Sequence, residues 1–337
     1  MARSRGRPFL KLVIAGLLGF LLLAAVGILY AFRSFHAEGP LPESTVVLIE
    51  PGAGLERMAG QLAETGAVTS APLFEWGVRL SGGDRALQAG EYRIPARASM
   101  AEIMTKLQAG DVVVHRLTVP EGTPSAEIVK MVNAAPALDG KIAEVPEEGV
   151  LLPETYHYTY GDSRTAIMDR MRAQMDAVVK KAWAQRAGDL PLQAPEEAVI
   201  LASVIEKETA VAAERRLIAG VFVNRLRMDM PLQSDPTVIY GLTEGEDLDR
   251  ALTKADLESD SAYNTYQRRG LPPTPITNPG RAAIMAAVNP LETDALYFVA
   301  DGSGGHAFAA TYEEHKKNVA RWRKIRRQNE DIEESGE

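Results

Sequence analysis

The chain has no cysteine and only five histidines among its 337 residues. The lack of cysteine excludes disulfide bonds, cysteine-ligated zinc, iron–sulfur clusters and thiol nucleophiles, and it leaves the redox compartment open. The histidines are scattered without the spacing of metal ligands: His36, His115, His157, His306 and His315. There is also no P-loop, no G-x-S-x-G and no H-E-x-x-H motif. We therefore predict that the protein uses neither a metal nor any other cofactor.

An excess of basic residues is missing as well. The net charge is −8 and the isoelectric point is near 5.4, whereas a nucleic-acid-binding protein needs a basic face to displace counterions from phosphates. We therefore predict no nucleic-acid partner. A hydrophobic fraction of 46% with 24% charged residues is typical of globular proteins, and the length suffices for two or three compact units.

One long stretch lacks charge entirely. Residues 12–32, LVIAGLLGFLLLAAVGILYAF, are long enough to cross a bilayer as a helix. This stretch is preceded by four basic residues, Arg3, Arg5, Arg7 and Lys11. Only Arg33 follows it closely. The positive-inside rule then predicts a cytoplasmic N-terminus and an extracytoplasmic remainder, in a single-pass protein of the inner (plasma) membrane. The alternative is a cleaved signal peptide, but the apolar run exceeds a typical h-region and no clean small-x-small cleavage site follows it.

Beyond the apolar stretch, short strands alternate with short helices. Three segments follow the order strand, proline, turn, helix, with their prolines at Pro51, Pro95 and Pro120. In the second and third segments an isoleucine, Ile103 or Ile128, falls eight residues after the proline. The match indicates either a repeat or the chance recurrence of a common unit. In both cases it predicts a small α+β module.

The C-terminal half has a different pattern. It predicts a charged amphipathic helix over about 165–187, a buried helix that begins at Pro195, and helices over 214–227 and 281–288. A strand over 296–300 and a glycine-rich turn then lead into a second strand. Between the helices predicted at 214–227 and 281–288, residues 231–280 show no sustained hydrophobic period. Long irregular segments inside compact domains are usually functional.

The buried helix runs into two glutamates, Glu206 and Glu208. Two positions along a helix rotate the side chain by about 200°, so the two carboxyl groups face opposite ways. Glu206 continues a face of small and apolar residues that includes Ala202 and Ser203. A carboxyl group in such surroundings is poorly solvated when ionised, so we expect a raised pKa and a role as general acid on a glycosidic oxygen. The alternative is a solvated last helical turn without a function.

Polar and aromatic residues in the irregular segments have the chemistry to bind sugars, because tyrosine rings stack on sugar faces and amides or hydroxyls pair with sugar hydroxyl and N-acetyl groups. Each tyrosine taken alone is equally consistent with a place in the core. The predicted substrate-binding residues are Gln233, Ser234, Asp235, Thr237, Tyr240, Tyr263, Asn264, Thr265, Tyr266, Asn278 and Glu154.

Several long motifs then occur in order: LASVIEKETAVAAERRLIAGVFVNRL, MPLQSDPTVIYGL, SAYNTYQRRGLPPTPITNPG, AAVNP and DALYFVADGSGGHAF. Together they resemble the endolytic murein transglycosylases of the MltG (YceG-like) family, over roughly residues 45–325. In that family the first glutamate of E-K-E-T is catalytic, which implies that role for Glu206. Ser234 and Thr274 depart from the residues expected at their positions, without consequence for the chemistry.

The resemblance implies an α+β fold with a single N-terminal transmembrane helix, a small LysM-like α/β module and a mixed α+β catalytic domain. The expected parts are a cytoplasmic tail (1–11), the transmembrane helix (12–32), a linker (33–44), the LysM-like module (45–116), the YceG-like catalytic domain (117–327) and an acidic tail (328–337). Whether the module binds glycan or braces the catalytic domain stays open.

The implied activity is cleavage of the β-1,4 bond between N-acetylmuramic acid and N-acetylglucosamine inside peptidoglycan strands, which leaves 1,6-anhydro ends. The expected partners are the glycan strands and peptidoglycan synthases at the membrane. Two alternatives stay open. One is a muramidase hydrolase in which Asp235 or Glu154 assists Glu206, and the other is a non-catalytic scaffold that binds glycan or acts in division.

Overall fold

The computed structural model describes residues 7–83 and 86–335, and it combines helices with three two-stranded sheets. It divides into two compact units, one formed by residues up to His115 together with Tyr158–Gly161, and one formed by Arg116–His157 and the chain from Asp162 onward. Each unit is described separately below.

The first unit begins with α1 (Arg7–His36), which contains one candidate membrane span, Leu10–His36, with a mean hydropathy of 2.8 and no buried side chain in its most apolar window. The predicted apolar helix is therefore present. Of the basic residues behind the predicted orientation, Arg3 and Arg5 lie outside the described residues. The predicted linker, residues 33–44, contains the last turn of α1.

The rest of the first unit packs helices on a two-stranded sheet. Its elements are β1 (Thr45–Ile49), α2 (Leu55–Glu64), α3 (Ala71–Leu80), β2 (Gly90–Ile94) and α4 (Met100–Ala109). The strands pair antiparallel with Val47 opposite Tyr92, and Tyr92 lies fully buried in the core with Phe74. The end of α1 joins this core, because Phe35 is buried and its ring centre lies 6.3 Å from that of Phe74.

The second unit is larger and mostly helical. It contains β3 (His115–Thr118) and β4 (Thr155–Tyr158) except for their end residues His115 and Tyr158, which belong to the first unit. Its other elements are α5 (Ser125–Ala134), α6 (Arg164–Ala184), α7 (Pro195–Glu208), α8 (Arg215–Arg227), α9 (Asp235–Thr243), α10 (Lys254–Leu257), α11 (Arg281–Val288), β5 (Tyr297–Ala300), β6 (His306–Ala309) and α12 (Tyr312–Ser335). Strand β3 pairs with β4, and β5 forms an antiparallel hairpin with β6.

The helices predicted at Pro195, 214–227 and 281–288 are confirmed, as is the hairpin. The expectation of irregular backbone throughout 231–280 is wrong at α9. This helix has proline in its first turn and only nine residues, so it is too short to show a clear period. The segment predicted as an acidic tail continues α12 as far as Ser335, and Gly336 and Glu337 lie outside the described residues.

Helix α7 is the centre of the second unit. Proline occupies its first turn, where the missing N–H has no helical partner in any case. Seven consecutive or near-consecutive residues are buried all round the helix: Ala198, Val199, Leu201, Ala202, Ser203, Val204 and Ile205. Helices α6, α8 and α11 contribute buried apolar side chains to the same core, and α11 makes the most extensive contact with α7. The prediction of a core helix is confirmed, and the glutamates at its end are held by this packing.

Candidate active site

The carboxyl group of Glu206 lies in a small groove at the C-terminal end of α7. Its side chain is only 5% exposed, so Glu206 does not lie on a solvated helical turn. The groove has a volume of about 360 Å³. Its lining residues are Glu121, Gly122, Glu206, Lys207, Thr209, Ala210 and Arg215.

Two groups contact the Glu206 carboxyl directly. The backbone N–H of Gly280 donates a 2.8 Å hydrogen bond to Oε2, and Nη2 of Arg215 lies 3.7 Å from Oε1. Burial nevertheless raises the pKa of Glu206 above its ordinary value, with a further rise from the nearby Glu121 charge. The Gly280 hydrogen bond and the charges of Arg215 and Lys207 oppose this rise in the pKa. The environment favours a carboxyl group that holds a proton, and it also offers partners when the proton leaves.

Glu121 is a second carboxylate at this groove that the sequence analysis missed. Its Oε2 lies 3.5 Å from Nη2 of Arg215, so one guanidinium group contacts both Glu121 and Glu206. Glu121 also lies against Gly280, where the β-carbon of any larger residue would come within 1.9 Å of Oε1. A larger residue at position 280 would therefore require the Glu121 carboxyl group to move from its present place. The sequence signal for Glu121 was its place in the turn Pro120-Glu121-Gly122 after a strand. Glu121 lies 85 residues before Glu206, so this signal did not connect the two residues.

Glu208 points away from this groove, which confirms that the two glutamates face opposite ways. Its Oε2 accepts a 2.8 Å hydrogen bond from the hydroxyl of Ser234. The pKa of Glu208 is raised to about 7: burial is the largest cause and the neighbouring Asp235 adds to the rise, while the Ser234 hydrogen bond and the charges of His306 and Arg225 oppose it. Glu208 is thus a second perturbed carboxyl group in different surroundings.

Most of the predicted substrate-binding residues gather on the Glu208 side of α7. Thr265 accepts a hydrogen bond from the backbone N–H of Ser234 at 3.0 Å and pairs with the hydroxyl of Thr237 at 2.8 Å. The hydroxyl of Tyr266 donates to Asp235 at 2.6 Å. Gln233 donates its backbone N–H to the carbonyl of Thr265 at 3.1 Å. Because Ser234, Thr237 and Thr265 are buried and bonded to one another, they fix the start of α9.

The two predicted asparagines are fully buried and hold backbone segments in place. The amide of Asn264 donates to the carbonyls of Leu257 and Ser259 at 3.1 and 2.8 Å. Asn278 accepts from the N–H of Leu151 at 3.0 Å, and its amide donates to the carbonyl of Thr123 at 3.1 Å. These amides are therefore occupied within the protein.

Asn278 is nevertheless linked to the groove through the residues around it. Its backbone carbonyl accepts a 3.0 Å hydrogen bond from Gly122, and Gly280, two residues further on, contacts Glu206. The side-chain amide also donates to Ser125 and Glu148 at 2.9 and 3.0 Å. Asn278 thus ties together the two loops that border the groove, which is a positioning role in place of the predicted contact with substrate.

The remaining predicted residues lie apart from Glu206. Tyr240 and Tyr263 pack edge to face with ring centres 4.9 Å apart, and the Tyr263 hydroxyl lies 2.8 Å from that of Thr274. Tyr240 lines a larger cleft, described below. Glu154 is exposed, with Oε1 accepting the N–H of Thr155 at 3.2 Å. Neither Glu154 nor Asp235 lines the groove of Glu206, so Glu121 is the second carboxylate that the structure brings to it.

A larger cleft of about 930 Å³ borders the groove. Gly122 and Lys207 line both of them, so the two form adjoining parts of one surface of the second unit. The cleft also has apolar residues on its walls, among them Tyr240 and Ile239. A small groove with a protonatable carboxyl group beside a larger cleft is suited to a substrate that extends beyond the bond to be cleaved and whose cleavage needs a proton.

Comparisons with known proteins identify the family to which the chain is similar. Residues 47–321 match the model of the YceG-like family. An endolytic murein transglycosylase of Bacillus subtilis is 32% identical over 303 residues, which cover 80% of this chain and 82% of that protein. An endolytic murein transglycosylase of Streptococcus pneumoniae is 28% identical, and the match covers 92% of this chain and 65% of that protein.

A solved structure shows the same fold. The crystal structure of a YceG-like protein from Listeria monocytogenes is 29% identical and has a TM-score of 0.52, covering 82% of this chain and 98% of that one. The groove and its E-K-E-T helix lie inside the matched residues. The extent of the family match and the 32% identity together show that the chain belongs to the YceG-like family.

Proposed function

We propose that the protein is a membrane-anchored endolytic lytic transglycosylase that cleaves the bond between N-acetylmuramic acid and N-acetylglucosamine within peptidoglycan strands. The observation that carries the proposal is the Glu206 carboxyl group: it lies in a groove, is 5% exposed, and has a raised pKa because of burial. The murein transglycosylases named among its relatives support the same substrate.

In the first step, Glu206 donates its proton to the glycosidic oxygen as the bond to C1 of muramic acid breaks. Positive charge develops on C1 and the ring oxygen, and the N-acetylglucosamine hydroxyl leaves. A carboxyl group whose pKa is raised by burial keeps its proton to higher pH, which favours this transfer. The carboxylate that forms is next to the N–H of Gly280 and the guanidinium of Arg215, which stabilise its negative charge.

In the second step, the Glu206 carboxylate takes the proton of the muramic acid 6-hydroxyl. The oxygen O6 then bonds to C1 and gives a 1,6-anhydro end, so Glu206 regains its proton and no water is consumed. One carboxyl group therefore suffices for the whole cycle.

A muramidase reaction is the second candidate, and one observation favours it. Glu121 contacts the same guanidinium group as Glu206, so two carboxylates flank the groove as they do in many glycoside hydrolases. In that reaction Glu121 would activate a water molecule or stabilise the developing charge, and the product would carry a reducing end.

The membrane location is part of the same proposal. Helix α1 has the length and composition of a membrane span, and we propose that residues 1–11 lie in the cytoplasm and the two compact units on the outer face. The enzyme would then act on newly made strands beside peptidoglycan synthases, and cleavage inside those strands would end their elongation. The first unit would serve as a LysM-like module that binds glycan or braces the catalytic unit.

Product analysis tests the proposal. The full chain in detergent micelles is incubated with purified glycan strands in H₂¹⁸O, and the fragments are analysed by mass spectrometry. Lytic transglycosylation predicts internal fragments with 1,6-anhydro ends and no ¹⁸O. Reducing ends that contain ¹⁸O would show a hydrolase and turn attention to Glu121. If the strands stay intact in every sample, the remaining interpretation is a scaffold protein that binds glycan without cleaving it.

A further inference from the structure

The 930 Å³ cleft beside the Glu206 groove carries charges of both signs. Lys130 on α5 and Lys207 on α7 supply positive charge, and Glu127, also on α5, supplies a carboxylate on the same wall as Lys130. The turn after α9 supplies negative charge from exposed side chains at Glu244, Glu246 and Asp247. A wall of this kind is suited to a ligand that is itself charged at more than one point.

The sugars of the proposed substrate do not have this property. In a peptide-bearing strand the N-acetyl groups are neutral and the lactyl carboxyl group forms an amide bond with the peptide. The sugar chain therefore has no charge. The charges of such a strand lie on the stem peptides, which carry carboxylates and, where they are not crosslinked, a free side-chain amine. The mixed charge of the cleft therefore matches a peptide better than it matches the sugar backbone.

The acidic turn is held at a defined position against α5. Glu244 and Gly245 both have positive φ, 54° and 100°, which reverses the chain directly after α9. A β-carbon added at Gly245 would lie 3.2 Å from Cβ of Pro124, the residue that precedes α5. The turn thus packs on the start of the helix that carries Lys130, which brings its carboxylates and Lys130 to the same cleft.

We propose that this cleft binds the stem peptide of a muramic acid residue near the bond that Glu206 cleaves. Lys130 and Lys207 contact the peptide carboxylates, and the turn of Glu244, Glu246 and Asp247 contacts a free amine. Tyr240 and Ile239 provide the apolar surface for the aliphatic parts of the peptide. The inference rests on the proposed function, since it names the part of the same substrate that determines specificity. Peptide binding in this cleft makes the enzyme selective for strands that carry uncrosslinked peptides.

Three forms of one substrate test this inference: peptide-bearing strands, the same strands with their amines acetylated, and strands stripped of peptide by an amidase. The full-length protein in detergent micelles is compared with Lys130→Met, with the double variant Glu246→Gln/Asp247→Asn, and with Lys180→Met, an exposed position on α6, as the matched control. The quantity measured is kcat/KM on each substrate.

The wild type should favour peptide-bearing over stripped strands by tenfold or more. Lys130→Met should lower that ratio roughly tenfold, which corresponds to the loss of one charge-assisted contact. The double variant should lose the preference for free over acetylated amines, and Lys180→Met should match the wild type. Equal ratios in all four proteins would overturn the inference while the proposed function stands. A wild type that cleaves none of the three substrates would remove the proposed function together with the inference.

Discussion

Glu206 and Glu208 are two residues apart on α7, yet their carboxyl groups lie in different surroundings. Glu206 faces a groove in which Gly280, Arg215 and Glu121 are within reach, whereas Glu208 is bonded to Ser234 beside Asp235. Burial raises the pKa of both carboxyl groups, so burial alone does not distinguish a catalytic residue from a structural one. The distinction follows from access to the groove, which Glu206 lines and Glu208 does not.

Glu121→Gln should lower the pKa of Glu206. The negative charge of Glu121 raises that pKa, and its removal leaves Arg215 with Glu206 as its remaining carboxylate partner in the groove. Because the first step needs a protonated Glu206, the alkaline limb of the rate profile should move to lower pH. The profile of kcat/KM against pH measures this.

A profile for Glu121→Gln that overlays the wild type would show that Glu121 does not act on Glu206 electrostatically. Complete loss of cleavage, with the fold intact by circular dichroism, would instead favour the muramidase reaction with Glu121 as a reacting group. Glu196→Gln in the first turn of α7 is the matched control, because Glu196 is exposed and lines neither the groove nor the larger cleft.

Glu208 should make the protein less stable as the pH rises from about 5 to 8. Its folded-state pKa of about 7 lies above the ordinary value of 4.5, so the folded state holds a proton that the unfolded state releases. The contribution is fully present below the unfolded pKa and is lost as the pH rises through the folded one. Glu208→Gln should therefore flatten the fall in Tm over this range, as measured by scanning calorimetry. An unchanged slope would mean that Glu208 titrates normally.

At the scale of elements, the sequence predicted those whose pattern is long or clearly delimited. Helix α7 begins at Pro195 and is apolar all round, α11 is a short apolar helix, and the β5–β6 hairpin has a glycine-rich turn. Helix α9 was missed because nine residues with an N-terminal proline do not establish a period.

The candidate site was only partly predictable for a different reason. The helix made Glu206 a candidate acid and the family resemblance implied its role, but Glu121 and Arg215 reach it from the loop after β3 and from α8, which only tertiary contacts can reveal. The side-chain amide of Asn278 bonds to backbone groups of the protein, and residue type alone does not distinguish such an amide from one that binds sugar.

Asn278→Ala should destabilise the second unit and distort the groove. The substitution leaves the N–H of Leu151 and the carboxyl of Glu148 without their amide partner in a buried region. The expected loss is about 2–4 kcal/mol in the free energy of unfolding, measured by urea denaturation. Asn318→Ala on α12 is the control, because its 3.5 Å hydrogen bond to Phe308 should contribute no more than about 0.5 kcal/mol. Equal losses for the two variants would contradict the positioning role of Asn278.

At the scale of the whole molecule, the candidate membrane helix is part of a folded unit. Phe35, in the last turn of α1, is buried in the core of the first unit, and its ring occupies the space beside Gly77, where the β-carbon of any larger residue would come within 2.3 Å of it. The sequence suggested a linker at this point because polar and glycine residues follow closely. In the structure, the helix continues into the unit without a flexible joint.

A chain that begins at residue 37 should therefore be less stable than one that begins at residue 33. The shorter chain loses Phe35 from the core against Phe74, which should cost about 3 kcal/mol in the stability of the first unit. Scanning calorimetry of the two soluble chains gives the comparison. Identical unfolding transitions would show that Phe35 does not contribute to the stability of the first unit.

In the proposed reaction the single carboxyl group of Glu206 carries out both proton transfers. The cleavage rate of Glu206→Gln in the full-length protein tests this role directly. Glu196→Gln is the matched control, since it makes the same change at an exposed position in the first turn of α7. The account predicts a loss of about a thousandfold or more for Glu206→Gln, with glycan binding retained, and wild-type rates for Glu196→Gln. Anhydro-ended products from Glu206→Gln at a rate near that of the wild type would contradict it.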